Sequence, residues 1–427
     1  MLAEEPTLTM GDPGPNQGTR SAGAGDDGLP AAPGPAVRRI TLTDFRNYGA
    51  LRLEVDARPV VLTGPNGAGK TNLLEALSFL APGRGLRRAK LGQVVRGAAL
   101  AAGEAAGPDD GAWAVAARLE TPDGPVDIGT AREVVRGPDG SQEGERRIVR
   151  IDGKTAKGQG DLARHLSLAW LTPEMDRLFL ESSGGRRRFI DRLVYGFVPD
   201  HAARVSAYER AMRERSRLLR EGRGDASWLS ALESQMAEAA VAIAAARRDL
   251  IGRLNLASEA GIGPFPRPDA TMEGTVEDWL VDGPALAIED RFRALLEESR
   301  RRDAEAGGAA AGPHRSDLVV THVERGMPAA QCSTGEQKAL LIALVLATAR
   351  LQALDRGAAP ILLMDEVVAH LDEIRRAALF DELVALGAQA WLTGTDRALF
   401  RTLDERAQFL DVAAGAVHAA EPPSDQP

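Results

Sequence analysis

Apolar and polar residues alternate from Val37 to Leu42 and again from Leu51 to Val55, so both stretches read as strands with one buried face. Val60, Val61 and Leu62 are apolar without alternation and run into a glycine-rich turn, after which a helical spacing holds from Thr71 to about Leu80. Residues 110–155 carry short β-like runs, Trp113 to Leu119 and Ile148 to Ile151, separated by Gly, Asp and Pro turns; this predicts an antiparallel meander. The period then changes. Val205, Tyr208, Met212 and Leu219 share one helical face, and Leu229, Leu232, Met236, Ala239, Ile243, Ala246 and Leu250 step alternately by 3 and 4, as heptads do. Two such helices joined near Gly222–Asp225 predict an antiparallel hairpin, although ordinary core helices share the periodicity. From Leu318 an α/β pattern returns: an apolar helix over Ala339–Leu354, a buried strand at Ile361–Met364, a helix over Leu371–Leu386 and a strand at Ala390–Thr393. No internal repeat interrupts this order.

The turn after Leu62 contains Gly64, Pro65, Asn66, Gly67, Ala68, Gly69, Lys70 and Thr71, which is the P-loop pattern G-x-x-x-x-G-K-[ST] between a strand and a helix. Its glycines let backbone N–H groups turn inward around phosphates, and the helix adds its positive end. Lys70 is placed to reach the β- and γ-phosphates, and the Thr71 hydroxyl to hold Mg²⁺. The chain is expected to bind a nucleoside triphosphate.

Composition limits the remaining possibilities. Residues 1–36 hold 13 Gly and Pro and almost no aliphatic pattern, which reads as a disordered tail; with no basic start and no apolar core, they do not read as a signal peptide. The stretch 415–427 is expected to fray. No run of 18 apolar residues occurs, so no membrane span is expected. The single cysteine, Cys332, excludes a disulfide framework and fits a reducing, cytoplasmic setting. Net charge is −9, of which the first 36 residues carry −4, so the total does not argue for nucleic acid and local arginine clusters matter more.

A second half of the site lies far downstream. The strand Ile361–Met364 ends in Asp365 and Glu366. An Asp there can hold Mg²⁺ through water opposite Thr71, and the adjacent Glu can act as general base on the attacking water. Ser333 and Gly335 open the helix before that strand, another anion-ready N-terminus. This order, with Ala369, His370, Leu371 and Asp372 following the acids, is similar to ABC-type ATPases. In that class the signature helix caps the γ-phosphate held by the opposite subunit, which implies that two heads sandwich two ATP molecules.

The chain then resembles one family specifically. Asp44 to Tyr48, the P-loop, Leu73 to Leu77, Pro82 to Arg87, Pro173 and Glu174, Arg186 to Asp191, Gly312 to Asp317 and Leu362 to Asp372 follow the RecF pattern, in order, over residues 37–412. Glu181 to Gly185 departs from the usual Gly-Ser-Pro before the arginine triplet. A Gln-loop glutamine near Thr172–Glu174 and a switch histidine near Gly394–Asp396 are both missing, as in that family. The resemblance implies an α/β fold: an ABC/SMC-like head, a P-loop NTPase with a mixed sheet and helices, carrying an inserted helical second domain. Its expected parts are a head over 37–190 and 306–414 and an arm over 191–305. It also implies an ATP-dependent homodimer binding gapped or junction DNA, a role in DNA damage repair and the SOS response with RecO and RecR, indirect action on RecA, slow DNA-stimulated ATP turnover with Mg²⁺, and no membrane.

Arginine groups are the candidate DNA contacts: Arg84, Arg87 and Arg88 after the P-loop helix, and Arg186, Arg187 and Arg188 in the triplet. The helix from Ala203 to Arg223 adds seven arginines against three glutamates. Arginine suits phosphate because its fork binds two oxygens. The alternatives are a head brace at 186–188 and, on the helix, a solvated face with pairs such as Arg210–Glu214. Few aromatics lie among them, so phosphate tracking on duplex is favoured over base stacking. Gly312-Pro313-His314-Arg315 reads as a turn near the signature helix. Rival functions are a transporter-energising subunit, which needs the missing histidine; an SMC-type protein, which needs longer arms; and a DNA clamp or scaffold with incidental hydrolysis.

Overall fold

The computed structural model describes residues 34–97, 111–136, 142–222 and 225–420. Residues 1–33 and 421–427 of the expected tails, and Arg223 and Gly224 at the hairpin turn, lie outside the described residues. In chain order the elements begin with β1 (Ala36–Phe45), β2 (Tyr48–Glu54), β3 (Val60–Thr63) and α1 (Lys70–Ser78). Next come β4 (Ala114–Thr121), β5 (Gly124–Arg136), β6 (Gln142–Ile151), β7 (Lys154–Thr155) and β8 (Leu168–Leu171). Helices α2 (Ser183–Tyr195), α3 (His201–Glu221) and α4 (Ala226–Glu259) follow, then β9 (Pro268–Glu273), α5 (Thr275–Asp282), α6 (Ala285–Glu298) and α7 (Arg300–Ala306). The chain continues with β10 (Asp317–His322), β11 (Met327–Pro328), α8 (Thr334–Arg356), β12 (Ile361–Met364), α9 (Glu373–Ala385), β13 (Ala390–Gly394), β14 (Gln408–Ala413) and β15 (Ala416–Ala419).

The central sheet has the order β15-β14-β3-β13-β12-β8, parallel except for the β14–β15 edge. Strands β3, β8, β12 and β13 are buried along their whole length, as expected for a parallel sheet covered on both faces. Parallel strands bring their carboxyl ends to one rim. Thr63, Leu171, Met364 and Gly394 therefore open their loops on the same side, although they come from opposite halves of the chain.

The predicted meander, β4 to β7, joins β1 and β2 in a second, antiparallel sheet, β2-β1-β4-β5-β6-β7. Leu73, Leu74 and Leu77 of α1 share one core with Ile40, Val115 and Ile128 of this sheet and with Leu62, Leu363 and Trp391 of the central one. Phe45, Phe79 and Trp113 meet edge-to-face in that core, with centroids 4.9–5.8 Å apart. On the other face of the central sheet lies α8. Its Ala/Leu-rich sequence favours helix, Ser333 and Glu336 close its start as a capping box, and Gly357 ends it in the left-handed conformation. This helix is long and apolar enough to cross a membrane, but 83% of its apolar stretch is buried within the fold.

Helices α3 and α4 form the predicted hairpin. The heptad reading of α4 is too narrow, because Ala240, Val241, Ala244 and Arg247 are buried beside Met236, Ile243 and Leu250. Ile288, Phe292 and Leu296 of α6 and Val276 of α5 pack on the same core as α3, so α4 buries a broad face and not a two-helix seam. Arg215 of α3 is buried in this bundle, donating to Glu233 at 2.9 Å, Asp303 at 2.8 Å and the Leu296 carbonyl. It therefore braces the arm and is not available to DNA.

Two boundaries shift. Strand β1 starts at Ala36 instead of Val37. At the other end, Ala416–Ala419 pairs with β14, so the chain does not fray at Gly415; the Gly415 N–H donates to the Ala68 carbonyl inside the P-loop.

Candidate nucleotide site and arginine groove

β3 delivers the chain to the P-loop, and the turn between β1 and β2 clamps that loop from behind. Arg46 donates to both carboxylate oxygens of Glu75 on α1, at 2.8 and 2.7 Å, and Glu75 is fully buried. The Asn47 amide donates to the Ala68 carbonyl at 3.1 Å and the Tyr48 hydroxyl to the Gly69 carbonyl at 3.0 Å. This explains the Asp44–Tyr48 segment. Gly69 has φ 119°, and a Cβ there would lie 2.5 Å from the Asn47 amide nitrogen, so no other residue fits. Lys70 is buried and curls over the loop, donating to the carbonyls of Gly64 at 2.7 Å and Pro65 at 2.9 Å. Burial lowers its pKa, and the carboxylates of Glu366 and Asp365 oppose that shift.

The two predicted halves meet. The Thr71 hydroxyl donates to Asp365 Oδ1 at 2.9 Å. The Thr393 hydroxyl, at the end of β13, donates to the same oxygen at 2.8 Å and accepts the Glu366 N–H at 2.8 Å. Glu366 sits in the left-handed region, φ 52°, a conformation a residue with a Cβ adopts only when its surroundings enforce it. A cleft of about 150 Å³ is lined by Asn66, Gly67, Lys70, Thr71, Arg87 and Glu366, among others. Mg²⁺ takes oxygen ligands at about 2.0–2.1 Å in an octahedron, which puts neighbouring ligands about 3 Å apart. The Thr71–Asp365 spacing matches. Among the described residues no cluster of three or more His, Cys, Asp or Glu could hold a metal alone, so such an ion would also need water or ligand oxygens.

Ser333 and Gly335 are exposed at the start of α8 and do not line that cleft. The Ser333 hydroxyl and N–H both donate to the Glu336 carboxylate, at 2.8 and 3.0 Å, and Arg325 pairs with the same carboxylate. These contacts hold the Glu336 pKa low, the Ser333 hydroxyl most of all. Lys338, one turn further on, pairs at 3.3 Å with Asp176 in the turn after Thr172, Pro173 and Glu174. Signature helix and central-sheet rim are thus tied together where a Gln-loop would lie.

The six candidate arginines separate into three roles. Arg186 donates to both oxygens of Asp317 at 2.7 Å and to the Glu181 carbonyl at 2.6 Å; Arg187 donates to the Ser316 carbonyl at 2.6 Å and Ser183 at 2.8 Å. Both brace α2 against β10, and Ser183–Gly185 form the first turn of α2. Arg87 faces the nucleotide cleft, 2.8 Å from the Asn72 side-chain oxygen, and not the outer surface with its neighbours. Arg87 therefore parts from Arg84 and Arg88, with which it was grouped as a DNA contact: the left-handed turn at Arg88, φ 56°, lets adjacent side chains point to different sites.

Arg84, Arg88 and Arg188 converge with Arg192, Arg210 and Arg213 on one groove of about 660 Å³ between the loop after α1 and helices α2 and α3. Burial, then the like charges of Arg188 and Arg84, push the Arg88 pKa down, so these cations crowd one another. Among the described residues Arg84, Arg88, Arg188 and Arg210 have no ion-pair partner, whereas Arg213 pairs with Glu209. The expected Arg210–Glu214 pair gives way to Arg217–Glu214 at 2.6 Å. Arg147, half-buried and donating to the carbonyls of Phe79, Ala81 and Gly83, fixes the loop that carries Arg84 to Arg88. Burial pushes its pKa down to about 9.

The Gly312–Arg315 turn, expected near the signature helix, has its recorded bonds to Tyr208, Arg247 and Ala309. A Cβ at Gly312, φ 129°, would overlap the Tyr208 hydroxyl. His314 Nδ1 lies 2.8 Å from that hydroxyl and Nε2 lies 3.0 Å from the Ala309 carbonyl, so Nε2 carries the proton and Tyr208 donates to Nδ1. Arg247 of α4 joins the Pro313 carbonyl to Asp191 of α2, each at 2.8 Å or less. Sequence reasoning missed the roles of Asn47 in the β1–β2 turn, Asn72 on α1 and Thr393 in β13, because a single polar residue carries no local signal of its distant partner.

The chain matches the family described as RecF/RecN/SMC N terminal domain over residues 36–416. It is 50% identical over 385 residues to the DNA replication and repair protein RecF of Rhizobium johnstonii, covering 90% of this chain and 98% of that relative. Identity to the protein of the same name from Agrobacterium fabrum is 50% over 386 residues, 90% of this chain and 98% of that one. Among solved structures, the recombination mediator protein RecF-ATPrS in the RecFOR pathway superposes with a TM-score of 0.75 at 18% identity, covering 92% of this chain and all of that chain. The RecF-ATP structure of the same pathway gives 0.73 at 19%, covering 91% and 100%. The fold is thereby the expected α/β ABC-type ATPase head with an inserted helical domain.

Proposed function

The chain belongs to the RecF family, and from that premise we propose that it is an ATP-dependent DNA-binding protein of recombinational repair, hydrolysing ATP between two heads. The observation that carries this reading is the single cleft shared by Lys70 and Thr71 from one half of the chain and Glu366 from the other, with Asp365 bonded to Thr71. On binding ATP, Lys70 exchanges the Gly64 and Pro65 carbonyls for β- and γ-phosphate oxygens, and the N–H groups of 66–71 surround the phosphates. Mg²⁺, held by Thr71 and by Asp365 directly or through water, would neutralise phosphate charge. Glu366 takes a proton from water as that oxygen bonds to the γ-phosphorus; the bond to the β–γ bridging oxygen breaks, releasing ADP and phosphate. Arg87 adds a cation beside the phosphates. Ser333 and Gly335 act on the nucleotide of a second copy, because they do not line their own cleft.

Arg84, Arg88 and Arg188 meet DNA phosphates. The preferred DNA is gapped or a single-strand/double-strand junction, turnover is slow and DNA-stimulated, and the protein works in the cytoplasm with RecO and RecR to help load RecA. One experiment tests the core. Light scattering with ATP and Mg²⁺, alongside phosphate release, should show Glu366→Gln binding ATP and accumulating as a dimer without turnover, Lys70→Ala losing ATP, and Ser333→Arg binding ATP without dimerising. Parent-rate hydrolysis by Glu366→Gln would overturn the reading.

A further inference from the structure

Among the described residues Thr393 is the one side chain with a recorded hydrogen bond to both members of the acid pair. It is fully buried at the end of β13, and its hydroxyl has one proton and spare lone pairs. The proton goes to Asp365 Oδ1 at 2.8 Å, and a lone pair accepts the Glu366 N–H at 2.8 Å. Asp365 is anchored from the other side by its own N–H, which donates to the Leu171 carbonyl of β8 at 2.9 Å. Asp365 thus lies between two neighbouring strands, while Glu366 leaves β12 in the left-handed conformation at φ 52°. That conformation is intrinsically unfavourable for glutamate, so something must hold it, and the Thr393 hydroxyl holds the amide that defines the turn.

We infer that Thr393 is a positioning residue for hydrolysis: its hydroxyl sets the Glu366 backbone, and through it the carboxylate, while fixing the rotamer of Asp365. The inference rests on the hydrolytic reading above. Asp365 Oδ1 has two hydroxyl donors here, Thr71 and Thr393. When Thr71 turns to a metal, Thr393 is the donor that stays. Among the described residues its hydroxyl bonds neither the P-loop backbone nor Lys70, so its loss should leave ground-state ATP binding in place and raise the barrier instead.

The test is steady-state and single-turnover ATP hydrolysis on the full chain, with thermal melting alongside. Thr393→Val removes the hydroxyl and keeps the shape, whereas Thr393→Ser and Thr393→Ala both delete the methyl and differ only in the hydroxyl. The expected result is kcat reduced about tenfold or more in Val and Ala, equivalent to about 1.4 kcal/mol of barrier. KM for ATP should stay within about threefold, and Ser should retain most of the parent kcat. If Val folds poorly, the Ser-to-Ala ratio alone decides. Parent-level kcat in Ala or Val, with Glu366→Gln inactive, overturns the role of Thr393. A fall equal in Ser and Ala does so too, since the methyl would then be what matters. Parent-level turnover by Glu366→Gln instead overturns the hydrolytic reading, and the role of Thr393 falls with it.

Discussion

Replacing Arg84, Arg88 and Arg188 together with glutamine should weaken DNA binding without harming the fold. The three side chains reach one groove from two separate segments, and among the described residues none has an ion-pair partner, so their removal leaves no buried carboxylate uncompensated. Crowding by Arg188 and Arg84 helps to lower the Arg88 pKa, so neutralisation also relieves repulsion. If each guanidinium contacts one phosphate, the slope of log K against log salt should fall by about 0.9 per contact, about 2.7 in all. Between 50 and 200 mM salt, parent affinity should then fall by about 40-fold more than that of the variant. Fluorescence anisotropy on a labelled gapped duplex at several salt concentrations measures the slope, and a fluorescent ATP analogue monitors nucleotide binding. Arg87→Gln is the internal contrast: it lies in the nucleotide cleft and should weaken ATP binding with a smaller change in slope. An unchanged slope in a triple variant with normal melting would refute the groove as the phosphate-contact surface.

Arg186→Ala should destabilise the head by on the order of 2–3 kcal/mol, somewhat less than a fully buried pair because Asp317 is partly exposed, and should leave the DNA salt slope unaltered; urea melts read the first and anisotropy the second. His314 gives a pH signature. Burial lowers its pKa in the fold, so the unfolded chain binds the proton more readily and stability falls as pH drops below about 6.5. The slope from this one group is at most about 1.4 kcal/mol per pH unit, and His314→Gln should remove that share in urea melts at pH 5.5 and 7.5.

Local sequence determined the parts whose geometry is local. The P-loop is one contiguous turn whose backbone needs glycine at fixed positions, so Gly64 to Thr71 was legible, as was an apolar strand ending in Asp365 and Glu366. The bounds of β12 agree with the pattern at Ile361–Met364, and α8 follows its Ala/Leu run. Sheet order was not legible, because β3 lies between β13 and β14, strands more than 300 residues away, and nothing in a four-residue apolar run names its neighbours. That pairing decides the site. Pairing of β12 with β13 brings the Thr393 hydroxyl to Asp365 and Glu366, and pairing of β14 with β3 brings Gly415 to the P-loop. Arginine function was likewise beyond the sequence: Arg186 and Arg188 are two residues apart, yet one is bonded to Asp317 and the Glu181 carbonyl and the other faces an open groove. Charge type is written in the residue, but whether the charge is neutralised at home or left free for a phosphate depends on which carboxylates and carbonyls the fold carries to it.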